Sequence, residues 1–138
     1  MLVQPLCRKN IVAKPTTPQP TPAELGILTI LWRRGPGTVR EVHEALASTV
    51  GYTTVLKLLQ IMTTKGLVTR KESGRTHIYE AAMTEESTQR RMVSDLVDRA
   101  FGGSALRLVV QALSTKPATP EEREEIKRLL NEMNGGDQ

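Results

Sequence analysis

Apolar residues recur at helical spacing in six stretches of this chain, and in one place the helical period gives way to strand-prone runs. The clearest stretch is Gly51 to Gly66. Val55, Leu58, Leu59 and Met62 stand at i, i+3, i+4 and i+7 and would line one buried face, while Thr53, Lys57, Gln60 and Thr64 fall on the opposite one. Gly66 ends this helix, because a glycine takes the left-handed conformation without a Cβ penalty. Leu67 to Lys71 and Thr76 to Tyr79 then read as two short strands around a Ser73-Gly74 turn. A helix running directly into a basic hairpin is the outline of a winged helix.

The elements before it complete that outline. Thr21-Pro-Ala-Glu24 is a capping box with proline at the first helical position, and the helix it starts is expected to bury Leu25, Leu28, Leu31 and Trp32 before Gly35-Pro36-Gly37 stops it. Thr38-Val-Arg-Glu41 is a second capping box. It opens a short helix carrying Val39, Val42 and Leu46, and a turn through Ser48 to Gly51 joins this helix to the next. Two helices so connected form a helix-turn-helix, whose second member normally enters the major groove.

Beyond Glu80 three more helices are predicted, with no strand between them. Thr84 starts the first, which carries Val93, Leu96, Val97 and Ala100 on one face. Phe101-Gly102-Gly103-Ser104 breaks the chain, and Ser104 can cap a second helix bearing Leu106, Val109, Val110 and Leu113. Thr119-Pro-Glu-Glu122 is a third capping box. The last helix then aligns Ile126, Leu129, Leu130 and Met133 before Gly135-Gly136. The expected fold is mainly α: residues 1–20 a proline-rich flexible tail, 21–82 a winged helix of three helices and a hairpin, and 83–138 a three-helix region.

Composition adds an energetic problem. Only 3% of residues are aromatic, so the core must be aliphatic. Three short helices with one phenylalanine are poorly able to offset the entropy of ordering them. Packing on the winged helix could make up the deficit, and so could an identical partner, isologous dimers being the commonest oligomers. The rear apolar positions, Phe101 included, are therefore assigned to dimerisation.

Charge divides unevenly along the chain. Residues 1–20 carry +3, residues 21–80 again +3, and residues 81–138 carry −2. A basic front places any nucleic-acid contact in the first two thirds. Arg70, Lys71 and Arg75 crowd the hairpin. A solvated edge would explain them equally well, but the neighbouring helix face holds no carboxylate, as a surface turned toward phosphates should.

Several chemistries find no support. His43-Glu44 begins like the zinc-protease motif H-E-x-x-H, but position 47 is alanine and the second ligand is missing. His77 is expected to pair across the hairpin or touch a phosphate. The single cysteine, Cys7, has no partner for a disulfide or a paired metal motif, and Pro5 and Leu6 stand where a lipoprotein signal needs small residues. Glycine loops for phosphate, a dinucleotide fingerprint and a nucleophile elbow are all missing, so neither an enzyme nor a cofactor is expected. No apolar run reaches membrane-spanning length, and the start lacks a signal-peptide core, which together predict a cytoplasmic protein. The tail at 1–20 is compatible with DNA contact, with no role, or with an over-long start.

The chain resembles the penicillinase-repressor type of bacterial transcription factor (BlaI/MecI/CopY) over about residues 21–134. The resemblance is carried by Glu24-Leu-Gly-Ile-Leu-Thr-Ile-Leu-Trp32, Thr38-Val-Arg-Glu-Val-His-Glu-Ala-Leu46, Tyr52-Thr-Thr-Val-Leu-Lys-Leu-Leu-Gln60, Lys65-Gly-Leu-Val68, Gly74-Arg-Thr-His-Ile-Tyr79 and Phe101-Gly-Gly103. It implies a homodimeric repressor on inverted repeats with TACA/TGTA-like half-sites, often paired with a membrane sensor protease. By motif match, Tyr52, Thr53, Thr54 and Lys57 would contact DNA from the recognition helix and Arg75 from the wing. Copper-responsive relatives carry a C-terminal cysteine cluster that this chain lacks, which excludes that mode of metal sensing. Others are cleaved at an asparagine-phenylalanine bond, where alignment places Gln111-Ala112. An alternative without DNA, a winged helix used for protein contacts, draws on Leu56 and Ile61, both expected to be exposed.

Overall fold

The computed structural model describes residues 19–46 and 50–137. Most of the tail, Cys7 and the Ser48 part of the second turn lie outside the described residues. The elements follow in the order α1 (Pro22–Arg34), α2 (Val39–Ala45), α3 (Tyr52–Lys65), β1 (Val68–Ser73), β2 (Thr76–Ala81), α4 (Glu85–Ala100), α5 (Ala105–Thr115) and α6 (Pro120–Asp137). Two compact units divide the chain, one ending at Met92 and one beginning at Val93, with the boundary inside α4.

The helix starts form as their sequences dictate. Thr21 and Thr38 each accept a hydrogen bond from the backbone N–H three residues on, and Glu24 and Glu41 accept from the cap N–H in return. Thr119 and Glu122 repeat the arrangement at α6, and Thr84 and Ser104 cap α4 and α5. At the end of α3, Gly66 adopts φ 85° and the Leu67 N–H reaches back 2.9 Å to the Met62 carbonyl. That closure aims the chain straight into β1.

One core serves the whole winged helix. Ile27, Leu28 and Leu31 of α1, Val39 and Val42 of α2, Val55, Leu59 and Met62 of α3, and Leu67, Val68 and Tyr79 of the wing are all buried together. The stripe on α1 is rotated from the expected one. Ile27 is wholly buried, while Leu25 and Trp32 are only partly so, because the seam runs through Glu24, Ile27, Leu28 and Leu31. Trp32 lies against the edge of the core, and its indole N–H donates to the Met83 carbonyl at 2.9 Å, tying the segment after the wing to α1. Leu58 and Leu46 likewise pack against the core without full burial.

Glu24 belongs to that buried seam. Its carboxylate accepts from Lys65 Nζ at 2.9 Å on both oxygens, and Oε1 also accepts from the Thr21 N–H at 2.9 Å. Burial pushes the Glu24 pKa up, but the hydrogen bonds from the Thr21 backbone and from Lys65, with the lysine's charge, outweigh it and hold the carboxyl below its ordinary 4.5.

The hairpin pairs Val68 with Ala81 and Ser73 with Thr76 around a tight Gly74-Arg75 turn, in which Gly74 takes φ 65°. A third backbone segment joins it. Gly37 and Tyr79 exchange hydrogen bonds of 3.0 and 2.8 Å, so the loop between α1 and α2 pairs with β2 as a one-residue strand. The Gly35-Pro36-Gly37 stop of α1 thus also fastens the wing. At the other end of the chain, α6 continues through Gly135 and Gly136 to Asp137, where the glycines were expected to end it. Glycine disfavours a helix interior by only about 1 kcal/mol, too little to force termination.

Two outcomes follow for stability. A Cβ on Gly37 would stand 3.0 Å from Glu41 Oε1, the atom that caps α2, so Gly37→Ala should lower stability by about 1 kcal/mol and reduce the melting temperature. A depressed carboxyl pKa stabilises the fold above the unfolded value and loses that contribution as pH falls through the folded one. The resistance of the wild type to denaturant should therefore fall below about pH 4.5, and Glu24→Gln should flatten that acid limb.

Candidate nucleic-acid interface

The outward face of α3 carries the residues that the sequence singled out. Tyr52, Thr53, Thr54 and Lys57 are all exposed, and Gln60 and Thr64 continue the stripe one and two turns further on. No acid occupies the first turn or the exposed face. Buried Val55, Leu59 and Met62 fix the rotation of the helix, so the polar stripe is presented by the packing on its opposite side. The Tyr52 ring stands edge-on to His43 of α2, with centroids 5.8 Å apart. That contact joins the start of α3 to the preceding helix and gives His43 a packing role.

The hairpin charges are less concentrated than their sequence proximity suggested. Arg70 pairs with Tyr79 and Lys71 with Ile78, so the two cations emerge on opposite faces of the ribbon. Arg75 occupies the turn, exposed at the tip. His77 lies opposite Glu72 in register, and its buried Nδ1 has no hydrogen-bond partner among the described residues. Leu56, expected on the outer face, is partly buried against the core. Ile61 remains 41% exposed beside the polar stripe. The apolar surface available on this helix is one side chain smaller than predicted.

A family model described as "Penicillinase repressor" matches residues 20–132. The chain belongs to that family. The transcriptional regulator BlaI of Mycobacterium tuberculosis is 32% identical over 117 residues, which cover 82% of this chain and 83% of its own. Among solved structures, the DNA-binding domain of the repressor BlaI is 26% identical with a TM-score of 0.46, covering 51% of this chain and 88% of that one. The Bacillus licheniformis BlaI monomeric form in complex with the blaP half-operator is 25% identical with a TM-score of 0.45, covering 51% and 89%.

The rear unit, from Val93 onward, is built differently from the front one. Its helices carry long apolar side chains left open among the described residues: Leu106 is 71% exposed and Met133 67%, while Val93, Leu96, Val109, Val110, Leu113, Leu129 and Leu130 are exposed to lesser degrees. Val97, Phe101 and Ile126 are partly covered. No residue of α5 is buried. On α6 the opposite side is laced by ion pairs, Arg128 bridging Glu125 and Glu132 and Lys127 reaching Glu124. The Gln111-Ala112 bond lies inside α5, where both carbonyls accept from the Thr115 hydroxyl and Ala112 also accepts from the Lys116 N–H. A protease acting there would have to unwind the helix first. Among the described residues, no helix is long and apolar enough to cross a membrane.

Proposed function

We propose that the chain is a cytoplasmic, homodimeric, sequence-specific transcriptional repressor that reads an inverted-repeat operator with two copies of α3. The acid-free polar face of α3 carries this reading, and family membership supports it. Thr53, Thr54 and Lys57 meet base edges and phosphates in the major groove, Tyr52 supports the helix start at the backbone, and Arg75 reaches a phosphate from the wing. The winged helix at 21–82 provides the contact and the helices at 83–138 provide the pairing, which covers the apolar side chains of α4 to α6. Half-sites of TACA/TGTA type would then lie roughly 34–36 Å apart, one helical turn. A sensor protease cutting within α5 would release the repressor by dismantling the paired surface. The exposed Ile61 favours a second reading, a winged helix that docks on protein without DNA.

A gel shift on the duplex upstream of the protein's own coding sequence separates the two readings. If a dimer neutralises about six phosphates, log affinity should fall against log salt with a slope near −5. Lys57→Ala should flatten that slope by about 2, and Thr54→Val should weaken operator binding more than nonspecific binding. No shift of any inverted repeat at moderate salt would favour the protein-docking reading. For the pairing, sedimentation at micromolar concentration should give twice the 15.3 kDa chain mass, and Leu106→Glu with Val110→Glu should move the protein toward monomer. A wild-type mass near one chain would remove the dimer from the proposal.

A further inference from the structure

The Glu24–Lys65 pair is unusual for its place. Glu24 is 2% exposed in the apolar seam of α1, and Lys65, the last residue of α3, crosses to it from 41 positions away in sequence. Both carboxylate oxygens are engaged at 2.9 Å, so the lysine head is held at two points, and its side chain is only 26% exposed. An apolar pair of similar volume would stabilise a core at least as well, since burying two charges costs several kcal/mol in desolvation. What the ion pair adds is direction. It fixes the end of α3 against the capped start of α1, immediately before Gly66 turns the chain into the wing through buried Leu67 and Val68.

We propose that Glu24 and Lys65 are a positioning pair that sets α3 and the wing at the angle at which both engage DNA, an inference that rests on the DNA-binding reading above. Lys65 is turned inward onto a carboxylate, so it serves as a geometric anchor and makes no phosphate contact. Arg34 makes a looser bridge to Glu41, 3.8 Å between exposed side chains, which lacks the burial needed for such a role.

The test uses the full-length protein and the double variant Glu24→Gln/Lys65→Met, which keeps the cap to Thr21 and removes both charges together. Its melting temperature should lie within a few degrees of the wild type. Its preference for the upstream duplex over a shuffled duplex of the same composition should fall about tenfold. The salt slope should not change, and the Leu67 amide, which closes α3, should exchange faster with deuterium. Lys65→Arg should retain most of the preference, because it still donates to both oxygens. Should the double variant fail to fold, Lys65→Gln, whose amide can still donate to Glu24, carries the same comparison with a smaller expected loss.

Wild-type preference in the folded double variant would overturn the proposal, as would a flatter salt slope in that variant, which would make Lys65 a phosphate contact. If the wild type itself shows no preference between the duplexes, the DNA-binding reading fails. Unchanged exchange at Leu67 fails the positioning role separately, whatever the DNA result.

Discussion

The wing is fastened to the helices through Tyr79 and its backbone exchange with Gly37. A hairpin of two strands is marginal by itself in water, and this one exposes most of β1. It is held because Tyr79 is fixed twice: its N–H and carbonyl pair with Gly37, and its ring lies in the aliphatic core at 1% exposure. The loop between α1 and α2 is consequently a structural member of the wing. Everything that faces outward from the front unit, the stripe on α3 and the tip at Arg75 alike, inherits its position from that shared core.

Much of this fold follows from local rules legible in the sequence. The capping boxes at Thr21, Thr38 and Thr119 and the left-handed Gly66 depend on residues within a few positions of one another, and they formed as expected. What stayed hidden is non-local. Glu24 reads in sequence as the third residue of a cap, and its lysine partner is 41 residues away, although an acid in line with Ile27, Leu28 and Leu31 was a signal that something must neutralise it. Gly37 reads as part of a helix stop, and only the placement of β2 turns it into a strand. The partial burial of Leu56 and the rotation of the α1 stripe likewise depend on neighbours that periodicity does not name.

The two units satisfy the hydrophobic effect differently. In the front one, eleven apolar residues from five segments converge on a closed core. In the rear one, the same helical spacing produces apolar stripes that remain open, with α5 having no buried residue at all. Periodicity records how a helix is faced but not what faces it, so the two halves look alike in sequence and unlike in structure. The proposed pairing resolves that difference by completing outside the chain what the front unit completes within it.

Trp32 is the chain's single tryptophan, and it sits in the front unit with its indole N–H on the Met83 carbonyl. Beyond Met92 the only aromatic ring is Phe101. Near-ultraviolet light therefore sees one half of this molecule and is nearly blind to the other. Tryptophan emission follows the seating of the segment that leaves the wing, whereas far-ultraviolet dichroism, dominated by helices from both halves, records the chain as a whole. The protein thus carries, in the unequal placement of its rings, the means to tell its two halves apart spectroscopically.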